Sequence, residues 1–219
     1  MVGWQWGQGA RTVWLVHGWG GHLGQLTPFV DPLVALGFRV IGFDWPGHGA
    51  SGGELSSLLH AQRALMRLEA FLGAPYGVVA HSFGAAATAV AMGHGLTVER
   101  LVFHAPVARL APFIEGFASA LQLTPSMQQR FISNAESWLT LPFAEFEPLR
   151  FTPELRAPLL VLHSRDDRDV VLREGERLAD SWPLARLEIK EGLGHRRILQ
   201  DPTCIARTVE FLHKGDRLD

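Results

Sequence analysis

The chain has 219 residues, 47% of them hydrophobic, and a formal charge of −2 at pH 7. That length suits one domain with a substantial core, and the near-neutral balance offers neither a basic field for nucleic acid nor an acidic tail. A lone cysteine, Cys204, excludes an intrachain disulfide and a paired-cysteine zinc motif.

Met1 to Arg11 lacks a basic stretch followed by an apolar one, so it does not read as a signal peptide. The apolar runs are too short, and too broken by Gly and His, to span a bilayer. The expected location is therefore the cytoplasm. Oligomeric state is not legible.

Val2 to Trp6 and Thr12 to Val16 are β-prone runs separated by Gly7-Gln8-Gly9-Ala10, which predicts a hairpin feeding a buried strand. Leu23 to Leu36 has helical spacing, interrupted by Pro28 and Pro32 and stopped by Gly37. Phe38 to Phe43 reads as a strand, Leu55 to Leu72 as an amphipathic helix, and Tyr76 to Ala80 as a strand. Phe83 to His94 is an Ala-rich helix that can lie close against a sheet. Strands follow over Leu101–His104, Leu159–His163 and Leu187–Lys190, with helices over Leu172–Ser181 and Ile198–Leu212. Strands alternating with helices predict an α/β fold: a mostly parallel sheet with helices on both faces, in one domain over 1–219.

Pro106 to Pro153 breaks that rhythm. It is too long for a simple crossover and rich in apolar and aromatic side chains. The simplest reading is a small helical cap over the C-terminal edge of the sheet. Phe113, Phe117, Phe131, Trp138 and Phe143 are its candidate substrate-binding residues; the alternative is that they bury only the underside of the cap.

Ala80-His81-Ser82-Phe83-Gly84 stands at a strand end and opens a helix. A sharp strand-to-helix turn of this kind exposes a serine hydroxyl and requires small residues two before and two after it. Ala80 and Gly84 supply them. The turn would also aim the Phe83 N–H and a helix N-terminus at a developing oxyanion; the bland alternative is an ordinary serine N-cap. A second donor needs a loop that approaches closely, which glycines permit. Leu15-Val16-His17-Gly18-Trp19-Gly20-Gly21-His22 supplies such a loop, with the Trp19 N–H as candidate. Asp44-Trp45-Pro46-Gly47-His48-Gly49-Ala50-Ser51 is a rigid turn in which Asp44 and His48 read as structural.

These three segments together resemble the α/β-hydrolase fold superfamily. The resemblance implies a triad in the chain order serine, acid, histidine. The acid is expected after a late strand, in a loop written glycine, any, any, aspartate, any, any, valine. Here Ser164 takes the place of the glycine, and counting three from it, or back three from Val170, gives Asp167 ahead of Asp166 and Asp169. The histidine position matches His195, in Glu191-Gly192-Leu193-Gly194-His195. The implied catalytic set is Ser82, Asp167 and His195. The resemblance does not fix the substrate: an ester or thioester is expected because its leaving group needs less help than an amine, the aromatic insertion favours an apolar acyl chain, and the sequence carries no metal-ligand spacing, phosphate loop or dinucleotide fingerprint that would call for a metal or cofactor. Other reactions on the same fold are the alternative: carbon–carbon hydrolysis, acyl transfer or perhydrolysis. A triad-bearing ligand sensor is a further one.

Overall fold

The computed structural model describes residues 1–54 and 56–214, excepting the side chain of Phe117. Seven strands form one sheet: β1 (Gly3–Trp6), β2 (Thr12–Val16), β3 (Arg39–Phe43), β4 (Gly77–His81), β5 (Arg100–His104), β6 (Leu159–Ser164) and β7 (Ala185–Lys190). Their order is β1-β3-β2-β4-β5-β6-β7, with β1 antiparallel to β3 and every other pair parallel.

Side chains of the central strands alternate between two cores, as a strand's period of two requires. Trp14, Val16, Val78, Ala80, Leu101, Phe103, Leu159 and Val161 face one cluster. That cluster is closed by α2 (Leu58–Leu72), α3 (Phe83–Gly93) and α6 (Leu172–Ser181). Val13, Leu15, Val79, Val102, Leu160 and Leu162 face the other. It is closed by α1 (Val30–Ala35) and the C-terminal helix, Pro202–Lys214. The sheet is thus covered on both faces, as expected for parallel strands.

Three expectations need correction. The first two strands do not form a hairpin: β1 pairs with β3, in register Gly3↔Phe43 to Trp6↔Val40. The Gly7–Ala10 link instead crosses the entry to β3. A Cβ on Gly7 would stand 2.5 Å from the Phe38 carbonyl oxygen, and one on Gly9 would collide with the Gly37 carbonyl. Glycine at both positions lets the chain cross there, and β2 is left free to pair with β3 and β4. Leu23 to Leu36 is not one helix. It is two 3₁₀ turns, Leu23–Gln25 and Thr27–Phe29, followed by α1, because Pro28 has no N–H to continue a helical ladder. The last helix does not begin at Ile198. Asp201 Oδ1 accepts from the N–H groups of Thr203 (3.0 Å) and Cys204 (2.9 Å), capping a helix that starts at Pro202. Before it, Gly194–Arg197 forms a separate single turn, α7, and Pro202–Lys214 is α8. Helix α2 begins at Leu58, capped by Ser57, whose Oγ accepts from the His60 N–H at 3.3 Å; Leu55 lies outside the described residues.

The segment between β5 and β6 contains α4 (Ala111–Ala120), α5 (Pro125–Leu139) and three 3₁₀ turns. Its base is tied down. Arg109 donates to the buried Glu174 of α6 from its backbone N–H (3.0 Å), Nε (3.1 Å) and Nη2 (2.7 Å). Glu147, near the far end, accepts from the Leu110 N–H at 3.0 Å.

Candidate active site

The parallel strands all point their C-terminal ends the same way. The loops after β2, β3, β4, β6 and β7 therefore gather on one edge of the sheet, where ligands of open α/β sheets bind. Ser82 stands there, between β4 and α3, at φ 53 and ψ −119. Positive φ is uncommon for a residue with a side chain and marks strain held by its surroundings. The Ser82 N–H donates to the His104 carbonyl at 2.9 Å, and its own carbonyl accepts from Ala85 at 3.1 Å. Ser82 stands at the N-cap position of α3, but its side chain makes no capping hydrogen bond. The demand for a small residue two positions on is visible: a Cβ on Gly84 would lie 2.6 Å from the carbonyl oxygens of both Val16 and His17.

The loop after β2 passes directly over this elbow. A Cβ on Gly18 would stand 3.1 Å from Ser82 Cβ. Gly21 N–H closes a turn on the Gly18 carbonyl at 3.2 Å, with Gly20 at φ 65, a turn that favours glycine at its third position. Among the described residues, neither the Trp19 nor the Phe83 N–H donates to a turn or loop carbonyl. Their side chains meet edge to face, ring centroids 5.1 Å apart, and Trp19 is 57% exposed. An aromatic pair thus joins the loop after β2 to the start of α3, made by the side chains of the two residues whose backbones are the candidate donors.

His17 and Asp44 hold this loop. His17 Nε2 accepts from the Trp45 N–H at 3.1 Å, and the Trp45 indole N–H donates to the His17 carbonyl at 2.8 Å. Asp44 accepts from the N–H groups of Leu23 (2.7 Å) and Ala50 (2.8 Å). Burial, only partly offset by the Gly18 carbonyl and Asp44, pushes the His17 imidazole down to about 4, so it is neutral and fits these roles.

The loop after β6 carries three aspartates, and the side chains of Asp167 and Asp166 have different tasks. Asp167 Oδ1 accepts from the N–H groups of Asp169 and Val170, both at 2.9 Å. Its Oδ2 lies 2.8 Å from His195 Nδ1. His163 Nε2, 2.8 Å from the Val170 carbonyl, is also 3.5 Å from Asp167 Oδ2. Burial alone would raise the pKa of Asp167. Hydrogen bonds from His163, His195 and the Val170 N–H outweigh it and hold the carboxyl well below the usual carboxylate range. Asp166 instead accepts from Ser164 Oγ at 2.5 Å and from the Gly194 N–H at 3.2 Å.

Ser164 and His81 were not singled out as site residues from the sequence. Ser164 Oγ accepts from the N–H groups of Leu193 and Gly194, both at 3.1 Å, and so ties the acid loop to the histidine loop. His81, next to Ser82, places its Nε2 2.9 Å from the His195 carbonyl, and the two imidazole rings lie 4.5 Å apart. Burial first, then the neighbouring His195, push His81 down to about 3. It is a neutral donor that fastens the histidine loop to the elbow. For Ser164 the signal was its departure from glycine. For His81 the signal was its slot in the elbow motif beside the serine, where a histidine reads as a support for loops, and that is the role the structure gives it.

The expected acyl-pocket residues separate. Phe113, Phe131 and Trp138 are exposed, and the Trp138 ring lies 5.6 Å from His60 of α2. Phe143 packs half-buried on the same core cluster as Phe83. The side chain of Phe117 lies outside the described residues. Among the described residues no His, Cys, Asp and Glu side chains group to hold a metal ion, and no helix is long and apolar enough to cross a membrane.

A family model described as serine aminopeptidase, S33, matches residues 7–141. The 2-hydroxymuconate semialdehyde hydrolase of Pseudomonas putida is 28% identical over 222 residues, spanning 82% of this chain and 79% of its own length. Among solved structures, the monoacylglycerol lipase of Paleococcus ferrophilus superposes with a TM-score of 0.77 at 23% identity, covering 98% of this chain and 99% of that one. A bromoperoxidase from Bacillus anthracis gives 0.76 at 17% identity, over 97% and 94%. At such identities the solved structures show the fold alone. The family match begins just after β1, takes in the loop after β2 and the elbow, and stops before Asp167 and His195, so these two rest on the geometry above.

Proposed function

Since the chain belongs to the S33 serine aminopeptidase family of α/β hydrolases, we propose that it is a serine hydrolase of carboxylic esters or thioesters, with Ser82 as nucleophile, His195 as general base and Asp167 as the acid that orients the base. The observation that carries this reading is the 2.8 Å contact between Asp167 Oδ2 and His195 Nδ1, in a loop fastened to the strained Ser82 elbow through His81.

With Nδ1–H directed at Asp167, Nε2 is left free to take a proton. His195 Nε2 accepts the Ser82 proton as Oγ bonds to the acyl carbon. The carbonyl π bond opens to an oxyanion, held by the N–H groups of Trp19 and Phe83 and by the N-terminus of α3. Collapse expels the alcohol or thiol, which leaves with the proton from His195. Water then gives a proton to His195 and bonds to the acyl carbon. The second collapse frees the carboxylic acid and returns the proton to Ser82 Oγ. Trp19 and Phe83 offer an apolar wall to the acyl group, and the cap aromatics Phe113, Phe131, Trp138 and Phe143 are proposed to extend it.

A fluorophosphonate probe should label the wild-type chain and not Ser82→Ala, and p-nitrophenyl esters of rising chain length should then be hydrolysed. Labelling that survives the substitution would sink the assignment. The 28%-identical carbon–carbon hydrolase supports a second reading, in which the bond cleaved lies between carbons. Turnover of a vinylogous 1,5-diketone, with no activity on any ester, would favour it.

A further inference from the structure

A cleft of about 620 Å³ opens beside His195, lined by Asp166, Arg168 and Asp169 of the acid loop and by Leu193–Arg197 of the histidine loop. We propose that this cleft receives a negatively charged group, a carboxylate or a phosphate, carried on the leaving-group side of the substrate. The inference rests on the serine-hydrolase reading above and names the substrate class for that same site.

The argument begins with charge. Most arginines around this part of the surface already face acids. Arg165 meets Glu191 at 2.8 Å, Arg173 meets Glu176 at 3.1 Å, and Arg109 and Arg177 both meet Glu174 at 2.7 Å. Arg168, Arg196 and Arg197, the three that line the cleft, make no ion pair among the described residues. Arg197 donates to a neutral partner, the Gly192 carbonyl, at 2.8 Å. The two acids in the lining are Asp166, held by the Ser164 hydroxyl and the Gly194 N–H, and Asp169, so three guanidinium groups with no acidic partner face two carboxylates and a net positive charge remains. A concave surface lined with excess charge of one sign focuses its field on the space it encloses, and guanidinium matches carboxylate and phosphate oxygens two at a time.

Position then decides which part of the substrate is anionic. The lining includes His195 but not Ser82, Trp19 or Phe83. The acyl carbon must lie at Ser82, and the apolar wall beside it suits the acyl chain. The leaving group is the part that takes its proton from His195, so it extends past the imidazole toward the cleft. An alcohol or thiol bearing an anion would place that anion among Arg168, Arg196 and Arg197.

The test compares three aryl acetates: 4-acetoxybenzoate, 4-acetoxyphenyl phosphate and the uncharged 4-acetoxybenzamide. Each kcat/KM is divided by that ester's uncatalysed hydrolysis rate, which removes differences in leaving-group reactivity. The anionic esters should be favoured about five- to tenfold at low salt, the scale of a few partly exposed ion pairs. The advantage should shrink toward one at about 0.5 M salt and in the combined variant Arg168→Gln, Arg196→Gln, Arg197→Gln. Whichever anion gains more identifies the preferred source of charge. A ratio near one in the wild-type chain, or a ratio the triple variant leaves unchanged, overturns the inference. Fluorophosphonate labelling of Ser82 in the same samples separates the two claims. With labelling intact, those results remove the anion site alone. Without labelling, the parent reading falls and this inference with it.

Discussion

Three buried histidines make the stability of this protein sensitive to mild acid. His17, His81 and His104 are almost wholly buried, and burial is the main cause that lowers them from an ordinary 6.5 to about 4, 3 and 3. The unfolded chain therefore binds protons below about pH 6.5 that the folded chain refuses until about pH 4 or 3. Their contribution is complete above the unfolded value and is lost as pH falls. At pH 5 each costs about 2 kcal/mol relative to neutral pH, roughly 5–6 kcal/mol together. That is comparable with the whole stability of a typical domain. Carboxylates with lowered pKa, Asp167 among them, give up their contribution only below about pH 4, and Glu147, raised by burial, works in the opposite sense, so the fall from pH 7 to 5 belongs to the histidines. Urea unfolding followed by tryptophan fluorescence at pH 7, 6 and 5 should show this fall. In His104→Gln the fall should be smaller by about a third, because His104, hydrogen-bonded to Thr208 at 3.1 Å, is then gone. Stability that stays flat from pH 7 to 5 would refute the reasoning.

Asp167→Asn should lower kcat by something on the order of 10⁴, through the wrong tautomer of His195, while Asp166→Asn and Asp169→Asn lose far less; a steady-state comparison of the three variants checks it. Gly84→Ala should destabilise by roughly 1–3 kcal/mol in thermal unfolding and slow fluorophosphonate labelling, since its Cβ meets two backbone carbonyls that cannot move aside. Trp19→Ala and Phe143→Ala should change the ratio of kcat/KM between a medium-chain and a short-chain ester by a graded amount, about 1–3 kcal/mol per methylene at most. An unaltered ratio in both would remove them from the acyl pocket.

The central strands were legible because both of their faces are buried. Val13–Val16 and Leu159–Leu162 are unbroken apolar runs for that reason. The partner of β1 was not legible: pairing joins residues distant in the chain, and the glycines of the link suit a crossing as well as a hairpin. The start of α8 was legible in principle, because Asp201-Pro202 is a cap followed by a proline, yet the apolar Ile198 and Leu199 drew the boundary earlier. In the site, spacing carried most of the information. Counting from Ser164 or from Val170 reaches Asp167, and it is Asp167 that meets His195. The fastenings were hidden. The hydrogen bond from His81 to the His195 carbonyl spans 114 positions. A histidine in sequence carries no mark that tells a buried donor from a base.

Arg109 and Glu147 have a further consequence. Glu147 accepts from the N–H of Leu110, so the two ends of the helical insertion are stitched to one another, and Arg109 rivets that junction to Glu174. Everything from Ala111 to Phe146 leaves and returns through this closed neck, and Leu139, Phe143 and Phe146 also pack on the core beneath it. The intervening segment is therefore an exchangeable module: a different loop or helical hairpin spliced between Leu110 and Glu147 would inherit the same closed ends, and with apolar side chains kept where those three meet the core it would leave the sheet and the loops bearing Ser82, Asp167 and His195 as they are. Replacement of that segment is the natural route to altering substrate range on this scaffold without rebuilding its chemistry.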